Sequence, residues 1–207
     1  MCGKVGIAKL ALPGSAELGE NLAEIFAAGC NSVILENHGI TVVGSILSEA
    51  YARLEALDFC ARLLIKSSLL GRPIPLSEGE LGHEHTVLPM VCDRRRSTRS
   101  EGKLGHELCE ISRRAYDQFL FASQLGAASV KLGSETFLIT PEGIDMLNLS
   151  VDHIVVVRSG HNHSHHGPSR YASIHKAICA ELTAIIGSSP PNVMAFAVTD
   201  RKSAILC

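Results

Sequence analysis

Apolar and polar positions along this chain alternate between a helical period and a strand period. Over residues 13–29, Leu18, Leu22, Ile25 and Phe26 recur at the three- and four-residue spacings of one helix face. Pro13-Gly14-Ser15 opens this stretch, and the Ser15 hydroxyl can accept a backbone N–H that the first helical turn leaves unpaired. Gly29 is a natural stop. Two short β-branched-rich runs follow, Val33-Ile34-Leu35 and Ile40-Thr41-Val42-Val43, with Asn37-His38-Gly39 between them. That pattern predicts a hairpin over 32–44, the asparagine and glycine supplying the positive φ angles a turn demands. A longer helix is predicted over 46–70, with Leu47, Ala50, Tyr51, Leu54, Leu57, Ala61 and Leu64 as its buried stripe. Gly71-Arg72-Pro73 ends it.

The character changes after Pro89. "DRRRSTRSEGK", residues 93–103, is polar and almost without apolar residues; its arginines could touch phosphate, but its composition is that of a solvated linker. The expected division is therefore 1–89, a linker over 90–103, and 104–207. Helical spacing resumes over 104–125 through Leu108, Ile111, Ala115, Phe119 and Ala122. "ASVKLGSETFLIT" then reads as strands 128–132 and 135–139 joined by Gly133-Ser134, a pair that suits a type II′ turn. A further strand at 154–158 leads into a His-rich loop at 161–166. A helix over 171–182, a short strand at 184–186 and a Pro-initiated helix from Pro190 come next, and "RKSAILC" opens what reads as a new strand. Interleaved helices and antiparallel hairpins place the chain in the α/β class, with a mainly antiparallel sheet between helical layers.

Composition narrows the function classes. With 46% hydrophobic and 19% charged residues in 207, the chain has material for a buried core and is not of disordered type. A net charge of -2 gives no electrostatic reason to expect nucleic acid or an anionic membrane as partner. The 7 cysteines contain no C-x-x-C pair, which reads as reduced thiols and a cytoplasmic protein; Cys60 and Cys109 fall in helical segments as small apolar residues. No stretch has the length of a membrane span.

Two groups of histidines could carry chemistry. The hairpin turn does not need an imidazole at His38, which is either a solvated turn residue or a metal ligand awaiting partners. "HNHSHH", with His161, His163, His165 and His166, could hold zinc or nickel, but no carboxylate or cysteine accompanies it.

Two long segments resemble the class II aldolase/adducin family. "ALPGSAELGENLAEIFAAGCNSVILENHGITVVGSILSEAYARLEALDFCARLL" is similar to the C-terminal half of such a domain, and "ELCEISRRAYDQFLFASQLGAASVKLGSETFLITPEGIDMLNLSVDHIVVV" with the segments that follow is similar to the N-terminal half. The C-half comes first, as in a fragment of a tandem protein or, less simply, a circular permutation. The resemblance implies a class II aldolase-like fold, a homo-oligomer and a sugar phosphate as ligand. It also implies zinc held by three histidines, stabilising the enediolate formed as a carbon–carbon bond breaks, with a glutamate as acid/base.

Residue by residue, the match is uneven. His38 fits the third zinc ligand. Gly126 and Ser129 fit a phosphate-loop motif in which Ala127 replaces the usual asparagine. Gly143 fits a second phosphate turn, with Glu142 where a serine or threonine is usual. Ser169 fits the first serine of Ser-Ser-Glu, but Arg170 and Tyr171 take the other two places. His175 aligns with a histidine common in the family, where packing suffices to explain it. The expected His-x-His reads Gly187-Ser188-Ser189, and neither residue type is a competent zinc ligand. Zinc is thus the family's cofactor with one matched ligand here, no catalytic residue is matched, and a non-catalytic, adducin-like assembly domain is the alternative to an aldolase.

Overall fold

A computed structural model describes residues 4–77, 98–122, 124–178 and 182–200. The chain divides into two compact units at Ile65/Lys66. The expected boundary at 90–103 lies largely outside the described residues, as does the strand expected in 201–207.

The first unit is built on β1 (Val5–Ala8), α1 (Ala16–Ala27), β2 (Ser32–Leu35) and β3 (Gly39–Val42), in the sheet order β1-β2-β3. β1 pairs parallel with β2, and α1 is the crossover between them; β2 and β3 form the expected antiparallel hairpin. β1 is too short for its period to stand out in the sequence, and only pairing with β2 makes it a strand. Ser15 caps α1 as expected, accepting the Leu18 N–H at 3.2 Å. Leu22, Ile25 and Phe26 then pack with Leu18 on Ala8, Val33 and Leu35. The opposite sheet face presents a row in register, Ile7, Ile34 and Ile40, and all three side chains are exposed.

α2 (Leu47–Leu70) begins where Glu49 accepts the Ser45 N–H at 2.7 Å. Its buried positions are Ala56, Phe59 and Ser67, whereas Leu47, Tyr51 and Leu64 of the expected stripe are exposed. At about 100° per residue, the buried line lies roughly opposite the expected stripe. The helix carries apolar side chains on both sides, so periodicity alone does not select which side packs.

The second unit holds α3 (Arg99–Asp117), β4 (Ala127–Gly133), β5 (Thr136–Ile139), β6 (Val155–Arg158), β7 (His161–Asn162), α4 (Ala172–Ile178), β8 (Ala184–Gly187) and α5 (Pro191–Ala197). Its strands run in the order β7-β6-β5-β4-β8, every neighbouring pair antiparallel. One face packs Leu108, Cys109 and Ala115 of α3 on Ala128 and Leu138. On the other face Ala172 of α4 lies with Phe137, Ile139, Val155 and Val157. A mainly antiparallel sheet between helical layers is therefore what this unit forms.

Several details differ from the periodicity. α3 starts at Arg99, so Thr98–Lys103, expected as linker, are the cap and first turn of a helix. Thr98 accepts the Glu101 N–H at 3.2 Å and donates its own N–H to the Glu101 carboxylate at 2.7 Å. Polar composition there reflects a capping box and not a loop. α3 ends at Asp117, before the 125 expected, and Phe119 turns the chain at φ 57°. The β4–β5 hairpin closes with Gly133 opposite Thr136 and a register shift after Lys131. None of residues 133–135 has a positive φ, so the bulge replaces the type II′ turn. His161–Asn162, expected as loop, pairs with β6.

The buried Glu101 carboxylate also meets the Arg158 guanidinium of β6 at 2.5 Å, tying the start of α3 to the sheet. Burial alone would raise its pKa, but the Thr98 N–H and Arg158 prevail and hold it below the usual carboxylate range. A depressed carboxylate contributes stability above the unfolded value of about 4.3 that is lost as pH falls through the folded value. Glu101→Ala is expected to cost about 2–3 kcal/mol at neutral pH, less than a fully buried pair because Arg158 keeps some solvent. Urea melts should show that difference shrinking below about pH 4.3.

Candidate functional site

The hairpin turn of the first unit is Glu36-Asn37-His38. Asn37 supplies the left-handed residue at φ 55°, while Gly39 at φ 159° is nearly extended. The His38 N–H donates to the Leu35 carbonyl at 3.2 Å, and the residue is exposed.

In the second unit, the end of β5 fixes the remaining candidates. Thr140, fully buried, donates its N–H to the Ala128 carbonyl at 3.0 Å and accepts the Ala128 N–H on Oγ1 at 3.2 Å. The next residues lace to the segment before α4: the Glu142 N–H donates to the Gly167 carbonyl at 2.9 Å, and the Ser169 N–H to the Thr140 carbonyl at 3.0 Å. Glu142-Gly143 and Ser169-Arg170 are thus brought together on adjoining loops, with Gly143 at φ 74°. Gly126 lies at the start of β4 with φ 125°, and a Cβ there would stand 2.6 Å from the Phe121 ring. It is a packing glycine.

Ser129 and Ser169 are both buried. The Ser129 hydroxyl pairs with His175 Nδ1 at 2.7 Å. Ser169 accepts the Tyr171 N–H at 3.4 Å, and its carbonyl accepts the Ala172 N–H at 2.8 Å. Both serines, expected at phosphate, are tied into the protein interior.

His175 sits between sheet and helix with its other nitrogen toward Gly187, where Nε2 lies 3.5 Å from the place a Cβ would occupy. The position expected to carry the first histidine of His-x-His is bare backbone. Ser188 donates its hydroxyl to the Leu120 carbonyl. Tyr171, where a glutamate is expected, is exposed.

Two side chains of the His-rich tract, His161 and His166, are engaged locally, whereas His163 Nδ1 is buried without a hydrogen-bond partner. His161 Nδ1 lies 3.0 Å from the Ser159 carbonyl, and the His166 ring stands edge-on to that of His153 with centroids 5.0 Å apart. Asn162 donates to the His166 carbonyl and accepts the Ser164 N–H, which folds the tract back on β7. Among the described residues no group of three or more His, Cys, Asp or Glu could hold a metal ion. A structural or catalytic zinc takes about three protein donors. The described residues therefore do not make a zinc centre by themselves.

What sequence reasoning missed is a charge pair. The Glu142 carboxylate accepts the Arg170 backbone N–H at 2.9 Å and Nε at 2.8 Å, and also its Nη2. Both side chains keep more than a third of their surface exposed, so the pair adds no more than about 1 kcal/mol to stability. The substitutions at 142 and 170 were each visible in the sequence; that they answer one another was not.

A profile of the family described as "Class II Aldolase and Adducin N-terminal domain" matches residues 1–65 and 106–207. An L-fuculose phosphate aldolase of Methanococcus maripaludis is 44% identical over 50 residues, 24% of this chain and 26% of that protein. Among solved structures, YgbL of Klebsiella pneumoniae is 22% identical over 48% of this chain and 50% of that one, with TM-score 0.46. An L-fuculose 1-phosphate aldolase structure is 21% identical over 51% of each chain, with TM-score 0.45. The chain spans about half the length of these solved structures and a quarter of that of the curated relative. No helix among the described residues is long and apolar enough to cross a membrane.

Burial lowers the His175 pKa from its ordinary value. A histidine whose folded pKa is depressed contributes stability that is complete above the unfolded value of about 6.5 and is lost as pH falls below it. Thermal melts of the wild type are expected to lose stability as pH falls below about 6.5, and His175→Phe should flatten that slope. Ser129→Ala, which strands the imidazole, should cost about 1 kcal/mol.

Proposed function

The chain belongs to the class II aldolase and adducin family, and we propose that it uses this fold to bind and assemble, without cleaving carbon–carbon bonds by itself. The observation that carries this reading is the bare backbone of Gly187 opposite His175 Nε2, at the place where the family resemblance calls for an imidazole. Ser189 and Tyr171 stand in for the second histidine and the acid/base glutamate. A neutral phenol, unlike a carboxylate, is a poor proton acceptor. His38 remains as a lone matched ligand, and one imidazole holds zinc far too weakly to polarise a substrate carbonyl. A cytoplasmic homo-oligomer is the setting this reading assumes, with Gly126, Ser129, Gly143 and Ser169 as the framework of the loops where the family resemblance would put a sugar phosphate or similar small molecule.

A second reading has one observation in its favour. The 44% identity over 50 residues with an L-fuculose phosphate aldolase fits a sugar-phosphate aldolase whose remaining ligands come from a segment beyond this chain. In that case His38 would be a zinc ligand of the completed site.

The untagged chain, assayed with added zinc for retro-aldol cleavage of ketose 1-phosphates, should show no turnover above background and far less than one zinc per chain by elemental analysis. Stoichiometric zinc with turnover abolished by His38→Ala would overturn the proposal. On the favoured reading, His38→Ala changes unfolding free energy by no more than about 0.5 kcal/mol, with or without zinc.

A further inference from the structure

The Arg170 loop gathers donors as an anion receptor does. Its backbone N–H and two guanidinium nitrogens converge on the two oxygens of one carboxylate. A guanidinium fork matches carboxylate and phosphate alike, because both offer paired anionic oxygens at the right separation. The anion it holds is not a ligand but Glu142 of the neighbouring turn. That turn is tethered: residues 140–142 and 167–169 are joined by the two backbone hydrogen bonds that make the Pro141–Pro168 bridge. The Glu142 backbone is therefore held beside the Arg170 loop, within reach of its donors.

We propose that Glu142 is a built-in stand-in for a phosphate group, so that this chain closes its own anion receptor on the Arg170 loop. This deepens the reading above, since it names what keeps a phosphate off these loops. A tethered carboxylate competes as a ligand at an effective concentration of the order of millimolar or more, which a free anion must exceed. Repulsion adds to competition, because a phosphate monoester brings about -1.5 to -2 charges beside an existing negative one. The pair is also open to solvent. Once the carboxylate is removed, the donors face water and an incoming anion reaches them without rearrangement of the fold.

The test is titration of the full chain with inorganic phosphate, followed at the Arg170 amide by NMR. The wild type should show no saturable shift at about 10 mM, the range set by the tethered competitor. Glu142→Ser, which removes the charge and adds a hydroxyl donor, should bind at least about tenfold more tightly. Glu142→Gln keeps the size of the native residue and one accepting oxygen while removing the charge, and should show a smaller gain of the same sign. Adding Arg170→Ala to Glu142→Ser should abolish the gain. Phosphate binding by the wild type equal to that of Glu142→Ser, no gain in either variant, or a gain that survives Arg170→Ala would each overturn the proposal. None of these results bears on turnover, so the proposal can fail while the non-catalytic reading stands, and the reverse.

Discussion

β5 is buried on both faces and paired on both edges, and the second unit is arranged around that fact. Leu138 points into the core under α3, while Phe137 and Ile139 point into the core under α4. Side chains alternate across a strand, so one four-residue segment fixes which helix covers which face. A slip of one residue would exchange the two cores. β4 and β6 take their register from the same strand, and β7 and β8 are placed in turn by those.

The candidate site inherits its geometry from this strand. Thr140 follows Ile139 directly, and its buried side chain and N–H are both satisfied by Ala128. The turn that carries Glu142 therefore leaves the sheet at a fixed place, and the segment before α4 is laced to it. α4 then lies across the sheet so that His175 reaches Ser129 of β4. A neutral, buried imidazole hydrogen-bonded to a buried hydroxyl suits a packed interior better than exchange with solvent or metal. Side chains near these loops are directed at the protein itself: Ser129 at His175, Glu142 at Arg170, Ser188 at a backbone carbonyl.

The first unit shows a simpler economy. One face of its small sheet is covered by α1, and the other leaves Ile7, Ile34 and Ile40 in a continuous exposed row. His38 stands at the end of the β2–β3 hairpin because Asn37 takes the left-handed conformation, leaving the imidazole outside the turn's own hydrogen bonding. Its exposure follows from the turn, whatever it binds.

Local chemistry was legible in the sequence. Ser15 as a cap, the Leu18–Phe26 face of α1, the Asn37 turn and the alternation of β5 all follow from what single residues do to nearby backbone, so spacing was enough to find them. The departures from the expected His-x-His at Gly187 and Ser189 were equally plain, since residue type is read directly from the sequence. The Thr98-x-x-Glu101 signature was present too, but a polar run hid it and only its tertiary partner Arg158 shows why that turn is ordered. Which side of α2 packs, the strand character of Val5–Ala8 and of His161–Asn162, and the pairing of Glu142 with Arg170 were decided by tertiary structure alone. Each depends on residues far apart in the chain, and periodicity carries no information about which of two apolar faces, or which of many charges, the fold brings into contact.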